Sequence, residues 1–381
     1  MARRYTDEEL QIVINAFHGA GNNNDAAARA LGIARTTFQH QLKIARERLL
    51  NPQPQNSLPA GHVLKGVSRY YNKEGALRGQ WVKTTANEQA QKAALLATAA
   101  ALMADIPKAE ITAAPEMTLK DLLAWYVLSD AHIGQMSWKP ETGGEWDIDL
   151  AEELIIKWFG AAIAAAPPAH TAVLAQLGDL MHTDGLLALT PASKNVLDAS
   201  ARYQKIVEVC VRVIRRIVQM LLNKHQNVHI IMADGNHDPA GSIWFRAMLT
   251  AFYEKEKRIT VDNSHTPYYA FEWGQTSLFV HHGDKKRIED VSEVFACMFR
   301  EIFGRTKYSY GHMGHFHHTA LKENALMIIE QHRTLAAKDA YSARSGYCSQ
   351  RSAKVICYSK NFGKVSEIQI SPEMVMNEKY L

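Results

Sequence analysis

Cysteine is scarce in this 381-residue sequence: Cys210, Cys297, Cys348 and Cys357 are the only four, and no two stand in Cys-x-x-Cys spacing. That excludes a Cys-x-x-Cys site and predicts reduced thiols in an intracellular chain. Long hydrophobic runs are missing too. The longest, Ala93 to Ala104, is too short to span a bilayer, and no apolar segment follows the start Met1-Ala2-Arg3-Arg4-Tyr5-Thr6-Asp7. These absences predict no membrane partner, no secretory signal and a cytoplasmic location. There is no internal repeat and no low-complexity tract. What remains is an ordinary globular composition, with 47% hydrophobic and 22% charged residues and enough length for two or three domains.

Charge is sparse in net terms, at +4, but unevenly placed. Residues 1–92 carry 13 Lys/Arg against 7 Asp/Glu, while the remainder is slightly acidic. A basic front quarter suits an anionic partner such as nucleic acid; a merely solvated surface has the same composition.

The front segment reads as helical. Thr6 with Glu9 three residues on forms a capping box, and Leu10, Ile14 and Phe17 make the apolar stripe of a first helix over 5–19. Asp25 is placed to cap a second helix with Ala27, Ala28 and Leu31, and Gly32-Ile33 makes a turn. A third helix from about Ala34 sets Phe38, Leu42 and Ala45 on one side and Arg35, Thr36, Gln39, His40, Lys43 and Arg46 on the other. Residues 5–48 resemble a helix-turn-helix DNA-binding unit, which implies DNA contacts from that polar, basic face. A three-helix cap or a dimerisation element would carry a similar Ala-rich pattern. The expected first domain is therefore 1–50.

Residues 51–118 read as a connecting region. Asn51 to Leu58 is a polar, Pro-rich linker. His62 to Thr84 suggests a small basic hairpin whose aromatics, including Tyr70, Tyr71 and Trp81, either stack on bases or form a minor core. Residues 85–104 read as an Ala-rich helix.

From Leu119 to about 375 the pattern is of alternating strands and helices, the expected third domain. Strands are expected at Trp125–Leu128, Thr171–Ala175, Val228–Ala233, Tyr268–Trp273, Ser277–Val280 and Lys307–Tyr310, with closing strands at Ala325–Glu330, Lys354–Tyr358 and Val365–Ile370. Helices are expected at Asp147–Ala166, Val196–His225, Ile243–Glu256 and Ile288–Phe303. Five strand-ending loops carry the chemistry: Asp130-Ala131-His132, Gly178-Asp179, Gly235-Asn236-His237-Asp238, His281-His282-Gly283 and Gly314-His315-Phe316-His317. Strand ends meet at one edge of an α/β sheet, so loops far apart in sequence can share a site. Carboxylates and imidazoles without thiolates suit divalent ions. Taken singly, Asp130 could be a cap, the His281-His282 pair strand surface, and His317 a core histidine.

These five motifs, in this order, resemble the calcineurin-like metallophosphoesterase superfamily over about residues 122–320. The resemblance implies an α/β fold of four layers, a β-sandwich flanked by helices, with a two-metal site at the sheet edge. It implies that Asp130, His132 and His317 hold one ion, that Asp179 bridges, and that Asn236, His282 and His315 hold the second. His281 competes for the His282 role; His282 is preferred because it directly precedes Gly283. His237 would protonate the leaving oxygen. Two divalent ions are implied, manganese first, with magnesium, iron or zinc as alternatives. Such a pair would clamp a phosphoryl group and lower the pKa of water from about 15.7 toward 7.

The form Gly178-Asp179-Leu180-Met181-His182 looks like the SbcD-like DNA-repair nuclease branch, in which the extra histidine, here His182, would help position the scissile phosphate. A helix-turn-helix ahead of the catalytic domain departs from that branch and is more similar to stand-alone phosphoesterases of bacteria or phages. The expectation is a metal-dependent phosphodiesterase, a DNA nuclease targeted to DNA by its front end, in a bacterial cell or phage-infected host, alone or as a homodimer. The alternatives are an enzyme for nucleotides or cyclic nucleotides, and a DNA-binding regulator with an accessory phosphoesterase domain.

Overall fold

The computed structural model describes residues 5–46, 49, 62–71, 77–86 and 112–376. The chain divides into two compact units, residues 1–87 and 88–381.

The first unit holds three helices and a hairpin. Helix α1 spans Asp7–Gly19, and its capping box is formed as the sequence predicts, with the Thr6 hydroxyl accepting from Glu9 N and the Glu9 side chain accepting from Thr6 N. Helix α2 spans Asn24–Ala30 and is capped by Asn23, not Asp25. The Asn23 side chain accepts from both Asp25 N and Ala26 N, which places Asp25 inside the helix. Helix α3 spans Arg35–Ala45. Val13, Phe17, Ala27, Ala28, Phe38 and Leu42 close a small core between the three helices. Strands β1 (His62–Tyr71) and β2 (Leu77–Ala86) pair antiparallel. The expected Ala-rich helix cannot begin at residue 85, because Thr85 and Ala86 pair in β2; residues 87–104 lie outside the described residues. The linker at 51–58 does as well.

The second unit is a four-layer α/β sandwich, the expected fold class. Its elements in order are β3 (Leu119–Leu128), α4 (Lys139–Thr142), α5 (Ile148–Ala165), β4 (Ala169–Gln176), α6 (Tyr203–Lys224), β5 (Asn227–Met232) and α7 (Pro239–Phe252). There follow β6 (Ile259–Val261), β7 (Tyr269–Trp273), β8 (Thr276–Val280), α8 (Val291–Met298), α9 (Arg300–Arg305), β9 (Tyr308–Met313), β10 (Ala320–Glu323) and β11 (Ile328–Gln331). Helix α10 (Ala340–Arg344) and strands β12 (Ala353–Ser359) and β13 (Gly363–Ile370) close the unit.

One sheet has the order β13-β12-β3-β4-β5-β6 and the other β10-β11-β9-β8-β7. Between them lies a core of Leu123, Trp125, Val127, Val173, Ile231, Tyr269, Leu278 and Tyr358, drawn from the facing sides of both. Helices α5, α6 and α7 cover the outer face of the larger sheet, and α8 and α9 that of the smaller. Strands β3, β4 and β5 are buried on both faces and parallel, which accounts for their unbroken apolar runs.

Helix boundaries depart from expectation in three places. Helix α6 begins at Tyr203, not Val196, because residues 196–200 are engaged elsewhere: Leu197 N donates to Ala188 O and Ser200 N to Gly134 O. Helix α7 starts early, at Pro239, where a ring with no N–H suits a first turn, and stops at Phe252 rather than Glu256. The expected helix over 288–303 is two helices that meet at Phe299. Among the described residues no helix is long and apolar enough to cross a membrane.

Candidate metal centre

Strands β3, β4, β5, β8 and β9 all end at one edge, and each is followed by one of the five motif loops. The first two loops continue the parallel pairing past their strands. Asp130 N donates to Gly178 O at 3.2 Å, His132 N to Asp179 O at 3.0 Å and Ile133 N to Leu180 O at 2.9 Å. Seven non-glycine residues have a left-handed backbone among those described, and five are Asp130 (φ 49°), His132 (φ 42°), Asp179 (φ 54°), His315 (φ 72°) and His317 (φ 55°). Such conformations are costly for side chains with a Cβ and persist where the surroundings over-determine them.

The side chains converge. Asp130, His132 and His317 form one group of donor atoms within 4.8 Å of one another, and Asp179, His282 and His315 form a second. Asp179 Oδ2 lies 3.2 Å from His282 Nε2 and 3.9 Å from His132 Nε2, so this one oxygen faces both groups. Asn236 Oδ1 joins the second group at 3.0 Å from His282 Nε2. All seven residues expected as metal ligands are thus brought to one place. Two groups of oxygen and nitrogen donors with a shared carboxylate are a chemical fit to divalent ions.

The rings are oriented from behind. His282 Nδ1 donates to Leu177 O at 2.8 Å, which turns Nε2 into the site. His281, one residue earlier, points the other way: its Nδ1 donates to Pro267 O at 2.9 Å and its ring stacks on Tyr268. The alternation of an extended chain therefore separates the two histidines, and His282 is the one at the site. The Asp130 carboxylate accepts from His315 N at 3.0 Å and from Ser129 Oγ, while Thr334 Oγ1 donates to its carbonyl at 2.6 Å. Two glycines permit the close approach. A Cβ on Gly178 (φ +101°) would strike the His282 ring, and one on Gly235 would strike the Asp179 carboxylate and backbone.

Electrostatics follow from burial and proximity. Burial opposes charge on Asp179 and Asp130, yet the neighbouring histidines outweigh it and hold both carboxyls below the usual range. Burial likewise opposes charge on His282, but Asp179 and Asp130 lift it to about 10. Burial, with His237 and His317 nearby, pushes His132 well down. The carboxylates thus draw positive charge inward, and a cation would compete with protons for the same nitrogens.

His237 stands beside this cluster. Its backbone N–H donates to Asp179 Oδ1 at 2.8 Å and its Nδ1 to His182 O at 2.9 Å, leaving Nε2 for another partner. His182 is buried behind His132, with the two Nδ1 atoms 3.4 Å apart. Burial lowers its pKa to about 3, so it is a neutral ring. His132, His182 and His237 themselves form a third group of close donor atoms.

Three supporting residues were not singled out from the sequence. Buried Asp238 accepts from Met181 N at 2.9 Å, and Asp184 accepts from Ala240 N and Gly241 N, the first turn of α7. Arg246 donates to Met232 O, Asp234 and Tyr269 OH beneath the Gly-Asn-His-Asp loop. Asp184, two residues after His182, and Asp238, inside its own motif, were visible by spacing. Arg246 was not, because helix position alone does not show which carbonyl it reaches.

The expected DNA-binding residues Arg35, Thr36, Gln39, His40 and Lys43 of α3, and Arg46 at its C-cap, are all exposed. Arg35 pairs with Asp25 at 3.2 Å and the Arg46 guanidinium lies 4.6 Å from the Phe17 ring centre. On β1, Tyr70 and Tyr71 are exposed.

No family model matches the chain, and no curated protein matches it. Among solved structures, it is similar to a predicted phosphoesterase from Streptococcus pneumoniae (10% identity, TM-score 0.28, 66% of this chain and 98% of that one). It is similar also to a novel archaeal phosphodiesterase (12%, TM-score 0.33, 65% and 99%) and to zinc-complexed Vps29 of Entamoeba histolytica (10%, TM-score 0.29, 65% and 98%).

Proposed function

We propose that the chain is a metal-dependent phosphodiesterase of the calcineurin-like kind, acting as a DNA nuclease. The observation that carries this reading is the position of Asp179, whose one carboxylate oxygen lies between two groups of donors at a single sheet edge. Asp130, His132 and His317 would hold one divalent ion, Asn236, His282 and His315 the other, and Asp179 both; manganese is the ion we favour. When bound, such a pair neutralises phosphoryl charge and supplies hydroxide near neutral pH. The protein's own groups do the rest. His237, fixed through Nδ1, presents Nε2 to protonate the departing oxygen. His182 keeps His132 and His237 in place from a buried position. The exposed polar face of α3, with Gln39, His40 and Lys43 turned to solvent, supports recruitment to DNA.

One assay panel tests this. End-labelled single- and double-stranded DNA, bis-p-nitrophenyl phosphate and p-nitrophenyl phosphate are each offered with Mn²⁺, Mg²⁺ or EDTA. The expected result is DNA and diester cleavage that vanishes in EDTA. Hydrolysis of the monoester alone would move the reading to a small-molecule phosphatase, and sequence-selective DNA binding without hydrolysis to a regulator.

A further inference from the structure

Phe316 is unexplained by the metal centre, yet it sits inside it. It lies between His315 and His317, both held in left-handed backbone. Its own N–H donates to Gly314 O at 2.9 Å, and its ring rests edge-on against His315 with centroids 4.8 Å apart. An apolar ring held this firmly is still 45% exposed. Burial would have been easy to arrange for a core phenylalanine; this one is presented outward, one residue from two of the donors.

It has company. Loops that leave the same edge expose Met136, Trp138, Leu186 and Val196, and helix α10 exposes Tyr341. These loops are tied to one another and to the centre: Met136 N donates to Asp198 O, Gln135 Nε2 to Ala337 O, and Thr334 Oγ1 to Asp130 O. Isolated exposed apolar residues mean little, but an exposed aromatic ring one residue from two donors of a charged centre is placed to touch what that centre binds. Whatever covers it must bring a phosphate to Asp179 at the same time. A regular DNA duplex does so only at a cost, since its bases are stacked inside and a step must be unstacked before a side chain can reach their faces. An unpaired strand offers both a phosphodiester and free base faces, which stack on aromatic rings without regard to sequence.

We infer that the substrate is an unpaired stretch of polynucleotide, and that Phe316 stacks the base beside the scissile phosphate. This rests on the phosphodiesterase reading above. Phe316 is then a substrate-binding residue that selects single strands.

Two strands of equal length test it, one with every base and one abasic at the nucleotide flanking the cleaved bond, together with the matching duplex. Wild-type protein should prefer the intact single strand over the duplex. Phe316→Ala should lose about tenfold in kcat/KM on the intact strand, mainly through KM, and the loss should be several-fold smaller on the abasic strand. Phe316→Trp should restore the intact strand. A second readout needs no turnover: a 2-aminopurine base at the flanking position should be quenched on binding to His237→Gln protein with Mg²⁺, and not when Phe316→Ala is added. Equal losses on both strands would overturn the stacking role, and a duplex cleaved as fast as the single strand would overturn the choice of unpaired substrate; either result leaves the nuclease reading standing. A wild-type protein that hydrolyses bis-p-nitrophenyl phosphate but no polynucleotide would overturn the nuclease reading and this inference together.

Discussion

The three-helix front unit and the donor-bearing edge of the sandwich obey opposite rules. In the front unit most local choices agree with the structure. Thr6 and Asn23 cap, Leu10, Phe17, Phe38 and Leu42 turn inward, and the charged residues of α3 face solvent. At the sheet edge local preference is overridden repeatedly. Histidines and aspartates take backbone conformations suited to glycine, carboxylates are fully buried, and imidazoles crowd together. A segment that satisfies most local rules needs little further reason for its form. One that breaks several at once is held by its surroundings, which is why the proposed chemistry is placed at the edge and not in the front unit.

The comparison can be broken most forcefully at Asp179. Asp179→Ala should abolish metal-dependent diester hydrolysis, by about a thousandfold or more, and lower the bound metal content. Retained activity with normal metal content would show that the crowding has another cause. Next is Gly235→Ala, where the added methyl collides with Asp179. A displacement of this kind should cost about a hundredfold in kcat/KM, with far-UV circular dichroism unchanged. Wild-type kinetics would mean that the loop gives way freely.

A test away from the edge uses His225, which is buried against Tyr126 OH and Ala169 O and whose pKa burial lowers to about 4. Between pH 6.5 and pH 4 the unfolded chain takes up this proton and the folded chain does not. Stability is therefore full above the unfolded pKa and falls as pH drops through that window, by up to about 3 kcal/mol from this group. His225→Gln should flatten the dependence in urea titrations across those pH values; an unchanged slope would refute the assignment. The smallest effect is expected in the front unit. Thr6→Ala removes one cap and should cost about 1 kcal/mol, read as a lower denaturation midpoint of the helical signal. A loss as large as that at Gly235 would erase the distinction between the two regions.

Much of this was legible before any coordinates. Doubly buried parallel strands show as apolar runs, so β3, β4 and β5 were readable, and with them the loops that follow. The capping box at Thr6 was readable because both partners lie within one turn. What failed was long-range. Residues 196–202 have helical spacing but are claimed by backbone bonds to residues 134–136 and 188, which no local pattern encodes. Short edge strands such as β6 and β10 were missed because three or four residues carry no usable alternation. At the site, the residue types and their order were visible, whereas the choice between His281 and His282 rested on a neighbouring glycine until the Pro267 carbonyl and the Tyr268 ring accounted for the first of them.

The left-handed turns at Asp130, His132, Asp179, His315 and His317 also constrain how this protein can vary. On the proposed reading, each of these positions satisfies two demands that rarely coincide, a main-chain shape congenial to glycine and a side chain able to donate to a cation. A glycine there would ease the loop while stripping away a donor. If the proposed metal centre holds, robustness and activity pull in opposite directions within a single residue at these five positions.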